Sequence, residues 1–422
     1  MRKIALAVTA VAALSAGLQT PAFAAAPDAP TDFKIAIKDL HVHLTWTDTD
    51  AKNVVYVEKE GEAPYVAGTI EASAPNDLLI PGFRLKASDK TRLIVKSVVE
   101  GEESAGAVSD WFDTHRPAVP ALKDANLAAN LSTTLSWTLG AVADSTPNDP
   151  LDVPGNGTVR ASVDGPGSTG LETDFATGAT SGTLAPQPRP AAINLSAWNE
   201  WGFSAKDVKT VRLGTMSAGL SVPVSAVYSS TLGMKTTLDL FTSEGREERA
   251  SGIPVELQAR ASATGSWKTY GRFSGNTTAA FNTGLASLGN RQYRILVPAR
   301  KVVSGNVIAL TPASSTSAKS SKTYIKFLSA GFTPSTAKRG ANVDLSAKIQ
   351  PASTVKARLE FFDGRSWFDV GYLQFNKGAA IQHGSAGAEA GSSRYRVTVP
   401  AVVVNGLTVS ATSSAAFTLT VK

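Results

Sequence analysis

Four histidines and no cysteine are available for metal binding, nucleophilic attack or proton transfer. His41 and His43 in HVHLTWT stand two residues apart, which puts both imidazoles on one face of a strand and supplies two of the ligands zinc would need. No third ligand is near them in sequence, since His115 falls in THRPAVPA and His383 in a Gly/Ser/Ala run, so the pair reads as surface. Oxygen ligands crowd at Asp48 and Asp50 in TDTDAKN, and more loosely in NDPLDVPGNG. Calcium wants six or more oxygens held by a tight loop; neither run has the glycine and closing glutamate of an EF-hand, so both read as solvated turns. Glu58, Glu60 and Glu62 alternate along a strand and its turn, and SEGREERAS from Ser243 is a charged loop. Glycoside hydrolysis needs two carboxylates brought together in space, and such runs read instead as solvated faces. Nothing resembles Gly-x-Ser-x-Gly, a P-loop, a dinucleotide-binding turn or a zincin helix. The sequence therefore assigns no catalytic residue, no metal ligand and no cofactor, and the chain is expected not to be an enzyme.

Aromatic side chains carry the better binding signal. Trp198 and Trp201 flank a turn in AWNEWGFS, and alternation puts Trp198 on the face opposite Leu195 and Ala197. An exposed tryptophan beside a loop can stack on a sugar ring or anchor a partner protein, which makes these two the ligand-binding candidates. The other reading is packing against a neighbouring domain or a long loop. A second pair recurs about one hundred residues apart, ATGSWKTYGRF from Ala263 and DGRSWFDVGYL from Asp363. In a regular strand Trp367, Asp369 and Gly371 share the more polar face, so the tryptophan is either half exposed or rotated toward the core by a bulge. The loops around the two copies differ while the Trp, Gly, Tyr-Arg and Pro positions persist. A structural role is therefore expected for Trp267 and Trp367.

The elements that must position these residues are short strands. Val42, Leu44 and Trp46 alternate inward in one, Leu93, Val95 and Ser97 in another; Leu135 and Trp137, then Ile193, Leu195 and Ala197, repeat the arrangement downstream. Proline-led entry, Leu-x-Trp on an early strand and Ala197-x-Asn199-x-x-Gly202-x-Ser204 after a late one resemble fibronectin type III domains. That family's corner tyrosine is replaced by Thr91 and Ala191. DSTPNDPLDVPGNG is expected to be a long exposed loop. From Gly214 the texture changes: RQYRILVPARKVVSGN matches SSRYRVTVPAVVVNGL, with Tyr293-Arg294 and Pro298 equivalent to Tyr395-Arg396 and Pro400. This half is similar to bacterial immunoglobulin-like modules of secreted proteins. A period near one hundred residues is an array of whole domains. The expectation is an all-β, extended multi-domain chain of tandem β-sandwiches: fibronectin type III-like at 25–117 and 118–213, immunoglobulin-like at 214–327 and 328–422.

Arg2 and Lys3, the apolar run from Ile4 and the small-residue site Ala22-Phe23-Ala24 have the layout of a signal peptide over 1–24, cut after Ala24. No later stretch reads as a membrane span or an anchor, so the mature protein is expected to be secreted and extracellular. In 422 residues, charged side chains make up 18% and the net charge is +6. The basic residues are scattered without an interleaved aromatic stripe, which argues against nucleic acid. The expected role is non-catalytic binding or adhesion at the cell envelope or extracellular matrix, with a cell-wall polymer, a polysaccharide or a surface protein as partner. The alternatives are a structural spacer or envelope component, and a secreted hydrolase with an unrecognised site.

Overall fold

The computed structural model describes residues 26–141, 144–153, 157–166, 170–241 and 247–422. The expected leader at 1–24 and part of the charged run from Ser243 lie outside these residues. The described chain is all β, and its one helical element is a 3-10 turn at Gly82–Arg84. No helix among the described residues is long and apolar enough to cross a membrane.

Each sandwich pairs a small sheet with a larger one, as alternating apolar strands require when each sheet buries one face. In the first, the strands Thr31–Lys38, His41–Thr47 and Asp77–Pro81 form the small sheet. The large sheet runs Tyr65–Ile70, Lys52–Lys59, Thr91–Val99, Glu102–Glu103, in that spatial order. Val42, Leu44 and Trp46 of one sheet meet Val55, Val57, Leu93 and Val95 of the other in a single core. The Trp46 Nε1–H donates to Asn53 Oδ1 at 2.7 Å, which satisfies the buried indole. In the second sandwich Ser181–Leu184, Thr133–Thr138 and Ala121–Leu127 make the small sheet, and Trp137, 1% exposed, packs on Phe175 with ring centroids 4.9 Å apart.

The third sandwich sets Thr215–Ser221, Thr231–Phe241 and Phe281–Ala286 against a sheet containing Lys319–Tyr324, Arg291–Val297, Ile253–Arg260 and Lys268–Gly275. The fourth repeats this with Lys326–Thr333, Asn342–Gln350 and Ala379–Ser385 against Phe417–Val421, Gly391–Val399, Val355–Phe362 and Trp367–Phe375.

Two connections cross the sequence repeats. The large sheet of the second sandwich contains Thr158–Asp164, Ala191–Asn199 and Thr210–Leu213, and then continues into Val307–Thr311 and Arg300–Ser304. The hairpin at 300–311 thus reaches back from the third repeat and pairs in parallel with Thr210–Leu213. Its counterpart in the fourth repeat, Val402–Val404 with Leu407–Val409, places Ser410 in a parallel bridge with Tyr324.

By Cα proximity the chain divides into two compact units. The first comprises the described residues to Ala118 together with those of Gly140–Thr158 and Ala197–Ser204. The second comprises the rest. The loop expected to be exposed is partly buried: Leu151 lies in the core of the first unit with Val42, Leu44 and Phe112. Asp149 organises the turn before it, accepting from Leu151 N at 2.7 Å, Thr146 Oγ1 at 2.9 Å and Asp113 N at 3.2 Å.

Where the corner tyrosine is missing, Thr91 is buried and its backbone exchanges two hydrogen bonds with Phe112, while its hydroxyl has no partner among the described residues. A buried unpaired hydroxyl costs stability that an isosteric methyl does not. Thr91→Val should therefore stabilise the protein by about 1 kcal/mol in a chemical-denaturation titration, and a loss of stability would show that the hydroxyl is used.

Candidate functional site

The histidines do not converge. His41 Nδ1 lies 2.7 Å from the Asp39 carbonyl oxygen, His43 pairs loosely with Asp77 at 3.8 Å, His115 with Asp89 at 2.8 Å and His383 with Asp344 at 2.7 Å. The His115 contact holds the Asp89 carboxyl below its usual range. Among the described residues no three His, Asp or Glu side chains come together as a metal site. Asp48, the first of the TDTD carboxylates, is occupied by its own chain. It accepts from Asn53 Nδ2, from Ser97 Oγ at 2.7 Å and from Thr49 N at 2.8 Å, so it closes a network running back to the Trp46 indole. Glu58 and Glu60 pair across strands with Arg92 at 2.6 Å and Lys90 at 2.9 Å.

The two candidate tryptophans part company. Trp201 is 3% exposed and stacks on Phe112, with centroids 5.7 Å apart and planes 9° from parallel, inside the first unit's core. Asn199 builds the turn that sends it there. Its Oδ1 accepts from Trp201 N at 3.0 Å, its Nδ2 donates to the His115 carbonyl at 2.9 Å, and Gly202 takes φ +111°, a conformation open to glycine. Of the two readings of these indoles, exposure for binding or packing, this turn gives Trp201 the second by folding it inward. Trp198 stays half-buried on the other face of its strand, paired in register with Phe203.

The repeated tryptophans sit on the outer sheet faces of the last two sandwiches under arginines. The Arg260 and Arg294 guanidiniums lie over the Trp267 ring at 4.4 and 4.5 Å. Gln292 and Gln258 hold these arginines in place, each accepting a guanidinium hydrogen bond at 2.9 Å. In the last sandwich Arg396 lies 4.4 Å over Trp367, and Phe362 packs beside the indole at 5.1 Å. The persistent Tyr-Arg pair now has a physical reason. Tyr293 and Tyr395 turn toward their cores while Arg294 and Arg396 turn out over the indoles. Both strands carry the same bulge: Gly271 pairs Leu257 while Thr269 pairs Gln258, and Gly371 pairs Leu359 while Asp369 pairs Glu360. The bulge does not drive the indoles into the core, and a Cβ at Gly371 would meet nothing within 4 Å, so that glycine does not make room for the ring.

An open groove between two sheet edges was not found by sequence reasoning. Tyr65–Ile70 is the outer strand of the first sandwich's large sheet and Asp77–Pro81 the outer strand of its small one. Between them is a cavity of about 350 Å³ lined by Val57, Tyr65, Val66, Leu79 and Arg84 among others. Tyr65 is 41% exposed, Leu79 49%, and Phe83 beside Arg84 is 68%. Partial burial, then the charge of Glu62, pushes the Tyr65 phenol up from its ordinary value. Gly68 lets the edges close, since a Cβ there would come within 2.9 Å of Leu78 Cδ2. The signal for this site was YVA at 65–67, three apolar residues in succession where a half-buried strand alternates.

No protein-family model matches the chain, and no curated protein is similar to it in sequence. Among solved structures it is similar to the chicken CNTN1 FN1-FN3 domains, with 14% identity over 70% of this chain and 98% of that one and a TM-score of 0.21. It is also similar to the three N-terminal domains of the bacteriophage RB49 Highly Immunogenic Outer Capsid protein, with 12% identity over 72% and 98% and a TM-score of 0.25. At such scores no activity transfers from either.

Two predictions follow from this geometry. Trp201→Ala should destabilise the first unit by about 3–5 kcal/mol, as removal of a core aromatic does, whereas Trp198→Ala should cost about 1 kcal/mol or less. Equal small effects in thermal unfolding would contradict the placement of Trp201. For Glu360, burial acts to raise the carboxyl, but hydrogen bonds from Arg396 and Thr398 and the charges of Arg396 and Arg358 outweigh it and hold the group below the glutamate range. A carboxyl depressed in the folded state stabilises it above the unfolded-state value, and that contribution disappears as pH falls through the folded-state value. Between pH 6 and pH 3 the native protein should therefore lose more melting temperature than Glu360→Gln does; parallel curves would exclude this contribution.

Proposed function

We propose that this chain is a non-catalytic binding protein of an extracellular surface, engaging a cell-wall polymer, a polysaccharide or a surface protein at the envelope or matrix. Secretion rests on the leader-like Met1–Ala24 segment. The observation that carries the reading is the groove between the Tyr65–Ile70 and Asp77–Pro81 edges. Its apolar floor accepts an extended chain, its two unpaired edges offer backbone donors and acceptors, and Tyr65 and Phe83 offer rings on which a sugar or an apolar side chain can lie. The resemblance of the first two repeats to fibronectin type III sandwiches points the same way.

A second reading, a structural spacer, draws on the junctions of the second unit. Asn290 N donates to the Thr408 carbonyl at 2.7 Å, and its Oδ1 accepts from Thr323 N at 2.7 Å; Ser410 N donates to the Thr323 carbonyl at 2.7 Å. With the parallel pairing of Thr210–Leu213, these bonds tie successive repeats together.

An array of immobilised glycans, wall polymers and matrix proteins separates the two. The binding reading expects retention of the native chain and at least about tenfold weaker retention of Tyr65→Ala and Leu79→Asp, consistent with the loss of an anchoring contact worth more than about 1.4 kcal/mol. Their melting temperatures should match the native chain. No retention on any surface, or retention indifferent to both substitutions, sinks the groove as the binding site.

A further inference from the structure

Where the 300–311 hairpin joins the second sandwich, the second unit encloses a cavity of about 220 Å³. One wall is the outer sheet face of this junction. The register places Arg212 beside Ala309 and Ala309 beside Val302, with Arg300 opposite Thr311 one step further along. The facing wall is built by Leu240, Phe241 and Ala250 of the third repeat. Gly214 allows the approach, because a Cβ there would meet the Phe241 carbonyl oxygen at 2.9 Å and Thr311 Cγ2 at 3.1 Å.

Three polar groups in this apolar space are unspent. Neither the Arg212 nor the Arg300 guanidinium has an ion pair or hydrogen bond among the described residues. The Thr311 hydroxyl has no partner among the described residues, in a residue only 7% exposed. The buried Thr311 hydroxyl costs stability unless something meets it, while the two guanidiniums are partly exposed and open to an anion. The fold does not require them. The equivalent of Arg300 in the fourth repeat, two residues after the shared proline, is Val402, which packs with Ile325 and Val409 into the core at the next junction. The same hairpin closes on hydrocarbon in one place and on two arginines in the other.

We infer that this cavity binds a small monocarboxylic acid with a ring-sized or branched apolar body. The carboxylate accepts from Arg212 and Arg300, whose forked donors suit it, and the Thr311 hydroxyl completes its shell. The body lies against Ala309, Val302 and Leu240. The two arginines project from strands two apart and are offset by two residues, about 12 Å on the diagonal, a gap that long side chains close around one anion. A benzene-sized body needs about 150 Å³, so the space takes one ring and a carboxylate and little more. Glu248 also lines the cavity and disfavours a dianion such as a phosphate monoester.

The test is calorimetric titration of the full chain with benzoate, phenylacetate and 3-methylbutanoate, each beside its uncharged amide. At least one acid should bind saturably, with its amide weaker by about tenfold or more. Arg212→Gln and Arg300→Gln should each weaken the acid by about tenfold and leave the amide unchanged; Thr311→Val should weaken it by less while preserving or raising the melting temperature. The acid against amide comparison uses the native chain and holds even if a variant fails to fold. Absence of saturable binding by all three acids, equal binding of acid and amide, or acid affinity unmoved in both arginine variants would overturn the proposal.

Discussion

Backbone hydrogen bonding sets the terms for this molecule. A strand at the edge of a sheet exposes a row of donors and acceptors, and a chain of sandwiches produces two such edges per sheet. In the second unit the edge of the second sandwich's large sheet is met by a hairpin from the third repeat, and the third repeat is bridged by the residue that follows the next hairpin. Thr210–Leu213 receives Val307–Thr311, and Tyr324 receives Ser410. Because these pairings run parallel and arrive from a distant part of the chain, each fixes the spacing of two repeats at once. The cavity beside Arg212 and Arg300, the packing of Val402 and Val409, and the Asn290 network all exist because the hairpins reach back. Where no hairpin arrives, as at Tyr65–Ile70 and Asp77–Pro81, the edges are open and a groove results.

The inward faces were legible from the sequence to the residue. Period-two alternation marked Val42, Leu44, Trp46, Leu93, Val95, Leu135, Trp137, Ile193 and Leu195, all buried, because strand geometry offers no other way to place them. The hairpin at 300–311 was legible as a repeat motif, but its partner was not, since local pattern specifies a strand and says nothing of which distant edge it joins. Trp201 shows the same limit. Its place beside a turn leaves both exposure and packing open, and only the Asn199 turn with Gly202 shows that the ring points into the first unit's core. The groove was hidden because two strands form it together: the apolar run at 65–67 marks one of them, and nothing in the local pattern says that Asp77–Pro81 lies across from it.

The duplicated tryptophans show how one motif serves two sequence contexts. Trp267 is covered on its own sheet by two arginines held by glutamines, while Trp367 has one arginine held by Glu360 and an aromatic neighbour, Phe362. In both, an apolar ring on a solvent-facing sheet is shielded by the stems and planes of cationic side chains, which keep their charges in water. That arrangement explains why Tyr-Arg persists beside the tryptophan while the loops drift.

The placement of Leu151 and Trp201 has a consequence for the order in which the protein is made. The first sandwich's strands are all in hand once Val108 has been synthesised, but its core is completed only by side chains that emerge some forty and ninety residues later. Until then Phe112 lacks the ring that covers it. The nascent first sandwich is thus an open shell on the ribosome. It closes when the following repeat delivers its turn, so that assembly proceeds by handing residues backward along the chain.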